Sequence, residues 1–144
     1  TWQLVQQMQG GRAIFTQPPM PIKCAGAPQK SMYLACDHWR RAGVLGEIEV
    51  EFRNAGAVLF GVADYVPALM EYVEKYGIDL ALGSNLVAVD GRAQVAIFQT
   101  AEGEVSRSFD MLHVVPPQVA PQFLTEPEAG SDDLLRWRRN SLCW

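Results

Sequence analysis

The chain has 144 residues, of which 49% are hydrophobic, 19% charged and 10% aromatic, with 12 Lys+Arg against 16 Asp+Glu. That length predicts one domain able to bury a core, and near-average Gly and Pro usage excludes collagen-like and disordered classes. The formal net charge of −4 argues against a dedicated nucleic-acid binder, which carries a basic face. Three Cys are too few, and odd in number, for a disulfide-stapled secreted scaffold, so a reduced intracellular setting is expected. The apolar stretches fall far short of a membrane span, and nothing at the start reads as a signal peptide.

Taken in chain order, residues 1–10 read as a short helix, with Trp2, Val5 and Met8 on one side and Gly10-Gly11 as its stop. Arg12 to Thr16 reads as a buried strand ended by Pro18, Pro19 and Pro21. A helix is predicted from Pro28 to Arg41, with Pro in its first turn and Gly43 as its C-terminal stop. Met32, Ala35, Cys36 and Trp39 recur at helical spacing and define its buried face.

Glu47 to Arg53 alternates charged and apolar residues, a strand pattern. Asp64 is the expected N-cap of a second helix, with Val66, Leu69, Met70 and Val73 on one face and Gly77 as its stop. Ile78 to Leu82 is a further strand. Leu86–Val89, Gln94–Phe98 and Val105–Phe109 follow, joined through the turn pairs Asp90-Gly91 and Glu102-Gly103. Met111 to Val115 closes the series as an apolar strand that stops at Pro116-Pro117. This order predicts a Rossmann-like α/β fold, a βαβαβ parallel sheet with a small antiparallel β insert. Residues 125–144 differ: a linker-like Glu126 to Asp133 run precedes Arg136, Trp137, Arg138 and Arg139. This tail is expected to be poorly ordered or non-native.

The first strand-to-helix junction carries the chemistry. A dinucleotide-binding fold places Gly-x-Gly-x-x-Gly there, so that backbone amides approach a pyrophosphate. Here the run is Ile22-Lys-Cys-Ala-Gly-Ala-Pro-Gln-Lys30, with Gly26 as its one glycine. The second junction, from Asn54 to Val62, matches no better. Neither supports NAD binding. A cysteine just ahead of a helix N-terminus, flanked by Lys23 and Lys30, has its thiolate favoured by positive charge, which makes Cys24 a candidate nucleophile or redox thiol. The alternative, a structural cysteine, stays open on position alone. Cys36 reads as a buried hydrophobe, and Cys143 receives no role. His38 reads as an exposed or satisfied helix histidine and His113 as a structural hydrogen-bonder. The His and Cys positions show no metal-ligand spacing.

Ala13-Ile-Phe-Thr-Gln-Pro-Pro19, Pro21-Ile-Lys-Cys-Ala-Gly-Ala-Pro-Gln-Lys30 with Met32-Tyr-Leu34, the Asn54 to Val62 stretch and Met111-Leu-His-Val-Val-Pro-Pro117 together resemble sulfide:quinone oxidoreductases, nearest the branch with the mitochondrial enzymes. The resemblance covers residues 1–124. It implies the second dinucleotide-binding-like domain of a longer flavoprotein that oxidises sulfide to sulfane sulfur and passes electrons through FAD to quinone.

By the same resemblance, Cys24 matches the family's redox cysteine beside the flavin. Pro116 and Pro117 match a pair near the flavin ring, and Lys30 matches the lysine closing the cysteine motif. The family's FAD fingerprint, second redox cysteine, Gly-Asp flavin motif and membrane-docking helices have no counterpart in these 144 residues. The chain alone is therefore expected to bind no cofactor, to be inactive, and to self-associate through an exposed domain face. In the full-length protein, FAD, sulfide, quinone and a peripheral membrane location are implied. Two alternatives stay open. One is a related FAD/NAD(P)-dependent oxidoreductase, such as a type II NADH dehydrogenase or a flavocytochrome sulfide dehydrogenase. The other is a non-catalytic, self-associating α/β module.

Overall fold

The computed structural model describes residues 1–120. β1 (Gly11–Gln17) and β2 (Ile48–Asn54) pair in parallel along their whole lengths, from Gly11 opposite Ile48 to Gln17 opposite Asn54. β3 (Asp79–Leu82) lies outside β2, and β7 (Met111–His113) lies on the other side of β1, both parallel. The resulting order, β3-β2-β1-β7, is that of an open Rossmann-like sheet. A separate antiparallel sheet, β4 (Asn85–Asp90), β5 (Val95–Thr100) and β6 (Gly103–Ser108), forms the expected insert.

Strand alternation sends Ala13, Phe15, Val50 and Phe52 to one face of the parallel sheet. They meet α1 (Trp2–Gln7), α2 (Ala27–Ala42) and α3 (Val66–Tyr76) in a core with Met32, Ala35, Cys36, Trp39, Val73 and Tyr76. The predicted stripe of α2 is the buried one, with Met32, Cys36 and Trp39 all 0% exposed. Trp39 also donates its indole N–H to the Val5 carbonyl at 2.9 Å, which ties α1 to α2. Gly43 ends α2 at φ 76°, a left-handed conformation that costs a Cβ-bearing residue energy.

The opposite face meets the insert. Ile14 packs there with Ala96 and Phe98. The polar half of the β2 pattern lies on this side too, and Glu51 and Arg53 are each only 6% exposed. Glu51 accepts from Arg53, lies 3.1 Å from Arg12 Nε, and faces Arg107 of β6 at 3.8 Å. The arginines of β1, β2 and β6 thus share one buried carboxylate, and Arg53 also covers the Phe98 ring.

Two expectations are corrected. Asp64 is not a helix cap: it lies in a 3₁₀ turn, Ala63–Tyr65, and α3 begins at Val66 with no side-chain cap hydrogen bond. Val66-Pro67 opens the helix instead, since proline needs no N–H partner there. The closing strand ends at His113 rather than Val115, because the Thr16 hydroxyl takes the Val115 N–H at 3.2 Å and draws the chain off the ladder. That strand is also the edge of the sheet, with Met111 buried and Leu112 and His113 half-buried. The domain boundary at 124, the 125–144 tail and Cys143 lie outside the described residues.

Candidate active site

The loops after β1, β2 and β7 gather at the carboxyl end of the parallel sheet, the end at which open α/β sheets bind their ligands. The β1–α2 loop is rich in proline (Pro18, Pro19, Pro21), and its Cys24 is exposed and, among the described residues, in no disulfide. The Cys24 carbonyl accepts the Ala27 N–H at 3.2 Å, and the Gly26 carbonyl accepts the Lys30 N–H at 3.0 Å. These two bonds turn the chain into α2 directly behind the cysteine. Lys30 is exposed on that first helical turn.

The post-β7 segment reaches the same loop. Thr16 donates its hydroxyl to the His113 carbonyl at 3.2 Å while accepting from Val115, and Pro116-Pro117 carry the chain onward. Gln118 Oε1 then accepts the Lys23 N–H at 2.6 Å. The structure thus brings Cys24 and Pro116-Pro117 to one end of the sheet through the residue next to each. Pro116 and Pro117 also wall a small cleft of about 90 Å³, with Thr16, Leu86 and Val115 among its other walls. The larger groove, about 410 Å³, lies at the opposite end of the strands among the paired charges of Arg12, Glu51 and Arg107. It has no part in the cysteine site.

The phosphate turn of a dinucleotide site is replaced by side chains. Asn54, fully buried at the end of β2, accepts the Gly56 N–H at 2.8 Å and donates to the Val58 carbonyl at 3.0 Å. This folds residues 55–62 back toward α2. Leu59 is 3% exposed, and its carbonyl accepts from the buried Gln29 Nε2 at 2.8 Å. A ring carbon of Phe60 lies 3.9 Å from where a Cβ on Gly26 would stand. Side chains thus close this junction where a pyrophosphate needs a run of glycines, and the residues do not fit a dinucleotide phosphate there. Cys24 is exposed, as are Met20, Val58, Val62 and Val119.

The two histidines differ. His38 is half-buried and packs edge-on against Trp2, with ring centres 4.9 Å apart. His113 packs against Phe15 at 5.5 Å, and desolvation lowers its pKa. Among the described residues its Nδ1 is buried with no hydrogen-bond partner. Cys36 is buried as expected, and desolvation pushes its thiol up to about 12. Among the described residues no His, Cys, Asp or Glu group could hold a metal ion, and no helix is long and apolar enough to cross a membrane.

Sequence reasoning missed Gln29, Asn54, Thr16 and Gln118. Asn54-Ala-Gly56 was open to it, since Asn two residues before Gly after a strand signals a side-chain-closed turn. The others make long-range bonds that leave no local signature.

No protein-family model matches the chain. It is 38% identical over 127 residues to the mitochondrial sulfide:quinone oxidoreductase of Mus musculus, covering 86% of this chain and 28% of that protein. To the mitochondrial sulfide:quinone oxidoreductase of Dictyostelium discoideum it is 36% identical over 118 residues, 81% of this chain and 26% of that protein. Among solved structures, the sulfide:quinone oxidoreductase of Aquifex aeolicus superposes with a TM-score of 0.69 at 14% identity, over 86% of this chain and 29% of that one. The chain thus spans roughly a quarter of the length of the curated relatives it matches.

Proposed function

The chain belongs to the sulfide:quinone oxidoreductase family, and we propose that it contributes the redox cysteine of a full-length enzyme that oxidises sulfide at Cys24. The observation that carries this reading is the exposed Cys24 at the carboxyl end of the sheet, where a dinucleotide-binding domain would present its phosphate turn. Exposure leaves Sγ open to a small nucleophile, and the turn into α2 holds its backbone still.

In the proposed step Cys24 is bridged by sulfur to a second cysteine elsewhere in the enzyme. Hydrosulfide attacks the sulfur attached to that second cysteine. A new S–S bond forms, the bridge breaks, and the displaced electron pair leaves on Cys24 as its thiolate. Sulfide is thereby oxidised to sulfane sulfur, and the bridge is the group reduced. Flavin, when bound in the full-length enzyme, supplies a two-electron acceptor for that pair, with quinone as the final oxidant. Pro116 and Pro117, rigid and without N–H groups, would flank the ring; Lys30 would add positive charge near the thiolate. The names of the relatives support a mitochondrial setting.

Replacing Cys24 by Ser in a full-length enzyme carrying this stretch is expected to abolish sulfide-dependent quinone reduction while leaving the fold intact. Retention of normal turnover would sink the reading. The 144 residues alone are expected not to turn over. Their exposed Met20, Val58, Val62 and Tyr65 favour self-association, seen as a concentration-dependent sedimentation coefficient and excluded by a strictly monomeric one.

A further inference from the structure

The two residues that flank Cys24, Lys23 and Ala25, each have a backbone group in contact with a side-chain amide. On the N-terminal side, Gln118 Oε1 accepts the Lys23 N–H at 2.6 Å. On the C-terminal side, Gln29 Nε2 lies 3.5 Å from the Ala25 carbonyl while donating to Leu59 at 2.8 Å. The first contact is the stronger, since 3.5 Å is near the limit of a useful bond. We propose that Gln118 is a positioning residue: its amide oxygen clasps the Lys23 N–H and so fixes the direction of Cys24 for sulfide chemistry. This rests on the reading of Cys24 as the redox cysteine.

The clasp follows from how the post-β7 segment is led to the loop. Thr16 bonds both the His113 carbonyl and the Val115 N–H, which fixes where the chain leaves the sheet. Pro116 and Pro117 then restrict φ and leave the segment little freedom before Gln118. The β1–α2 loop it meets has few donors, because Pro18, Pro19 and Pro21 have no N–H. Lys23 offers its N–H directly beside the cysteine, and the oxygen of Gln118 is what meets it. The segment that bears Pro116-Pro117 and the loop that bears Cys24 are in this way joined by one bond, so that moving one moves the other.

What the clasp requires is an acceptor, not a volume. Gln118→Glu keeps an acceptor oxygen at neutral pH, whereas Gln118→Met keeps the length and loses the acceptor. Hydrogen exchange at the Lys23 amide of this chain reads the bond directly. Exchange roughly five- to tenfold faster in Gln118→Met, with near-native protection in Gln118→Glu, is the expected result for loss of one hydrogen bond. Equal exchange in all three proteins would overturn the clasp.

In a full-length enzyme carrying this stretch, Gln118→Met should lower kcat for sulfide-dependent quinone reduction by about tenfold or more. The KM for quinone and the flavin absorbance should stay unchanged, and Gln118→Glu should restore kcat. Altered exchange with unaltered kcat would overturn the positioning role. An unsubstituted enzyme that does not oxidise sulfide would instead overturn the redox reading, while the exchange measurement still decides the clasp.

Discussion

His113 is held at the edge of the sheet against Phe15, with its Nδ1 buried and unpartnered. Burial disfavours the charged imidazolium, so its pKa in the folded chain lies below the ordinary value of about 6.5. The unfolded chain then takes up this proton more readily than the folded one. The stability linked to His113 is present above about pH 6.5 and is lost as the pH falls through that value toward the folded pKa. Urea denaturation at about pH 7.5 and about pH 5.5 should therefore show an acid-side loss that shrinks in His113→Phe, which keeps the ring packing. An identical loss in both proteins would contradict this. The orphaned nitrogen was not legible in the sequence, because it depends on what fails to lie beside the ring in three dimensions.

Among the elements, α2 was the most legible. Its apolar residues Met32, Ala35, Cys36 and Trp39 recur at helical period over about two turns, so one face had to be buried, and Gly43 marked its left-handed stop. Trp39 is the centre of that face, fully buried and bonded to Val5. Trp39→Ala should cost about 3–5 kcal/mol by urea titration, and Trp39→Phe less. A value for Trp39→Ala within about 0.5 kcal/mol of zero, typical of a surface site, would place the residue outside the core. β7 was legible as a strand and misjudged in length. Val114 and Val115 have strand propensity, but a hydroxyl from the neighbouring strand competes for the Val115 N–H and takes it. Asp64 was misassigned for a related reason: a good capping side chain signals a helix start only when the backbone places it at the cap.

At the scale of the whole molecule, the two sheets meet partly through charge. Glu51 lies between Arg12, Arg53 and Arg107, so a buried carboxylate joins β1, β2 and β6. Without Glu51 the buried Arg53 keeps only Asp79, at 3.3 Å, and Arg12 keeps Glu49, so Glu51→Gln is expected to cost about 3 kcal/mol, the low end for a broken buried pair. The double variant Glu51→Gln/Arg53→Gln should cost less than the sum of its single substitutions; strict additivity would show that the pair does not couple. The alternation of β2 announced a strand but not that its charged side would be covered, since the insert that covers it comes later in the chain. The order of elements was enough to anticipate the parallel sheet and the antiparallel insert, because strand-helix-strand units leave few other arrangements. Cys24 stood out as a candidate because it interrupts a junction where glycines are expected. The bonds around it, between Gln118 and Lys23 and between Gln29 and Leu59, join distant parts of the sequence and became visible only in the fold.

The claim that Cys24 carries the sulfur chemistry is tested most directly by mass spectrometry of the Cys24 peptide from a full-length enzyme, trapped during turnover with sulfide. Cys24 is expected in a sulfur bridge before sulfide is added and as a free thiolate afterwards, in step with quinone reduction. An unmodified Cys24 thiol throughout, in an enzyme that continues to reduce quinone, would contradict it.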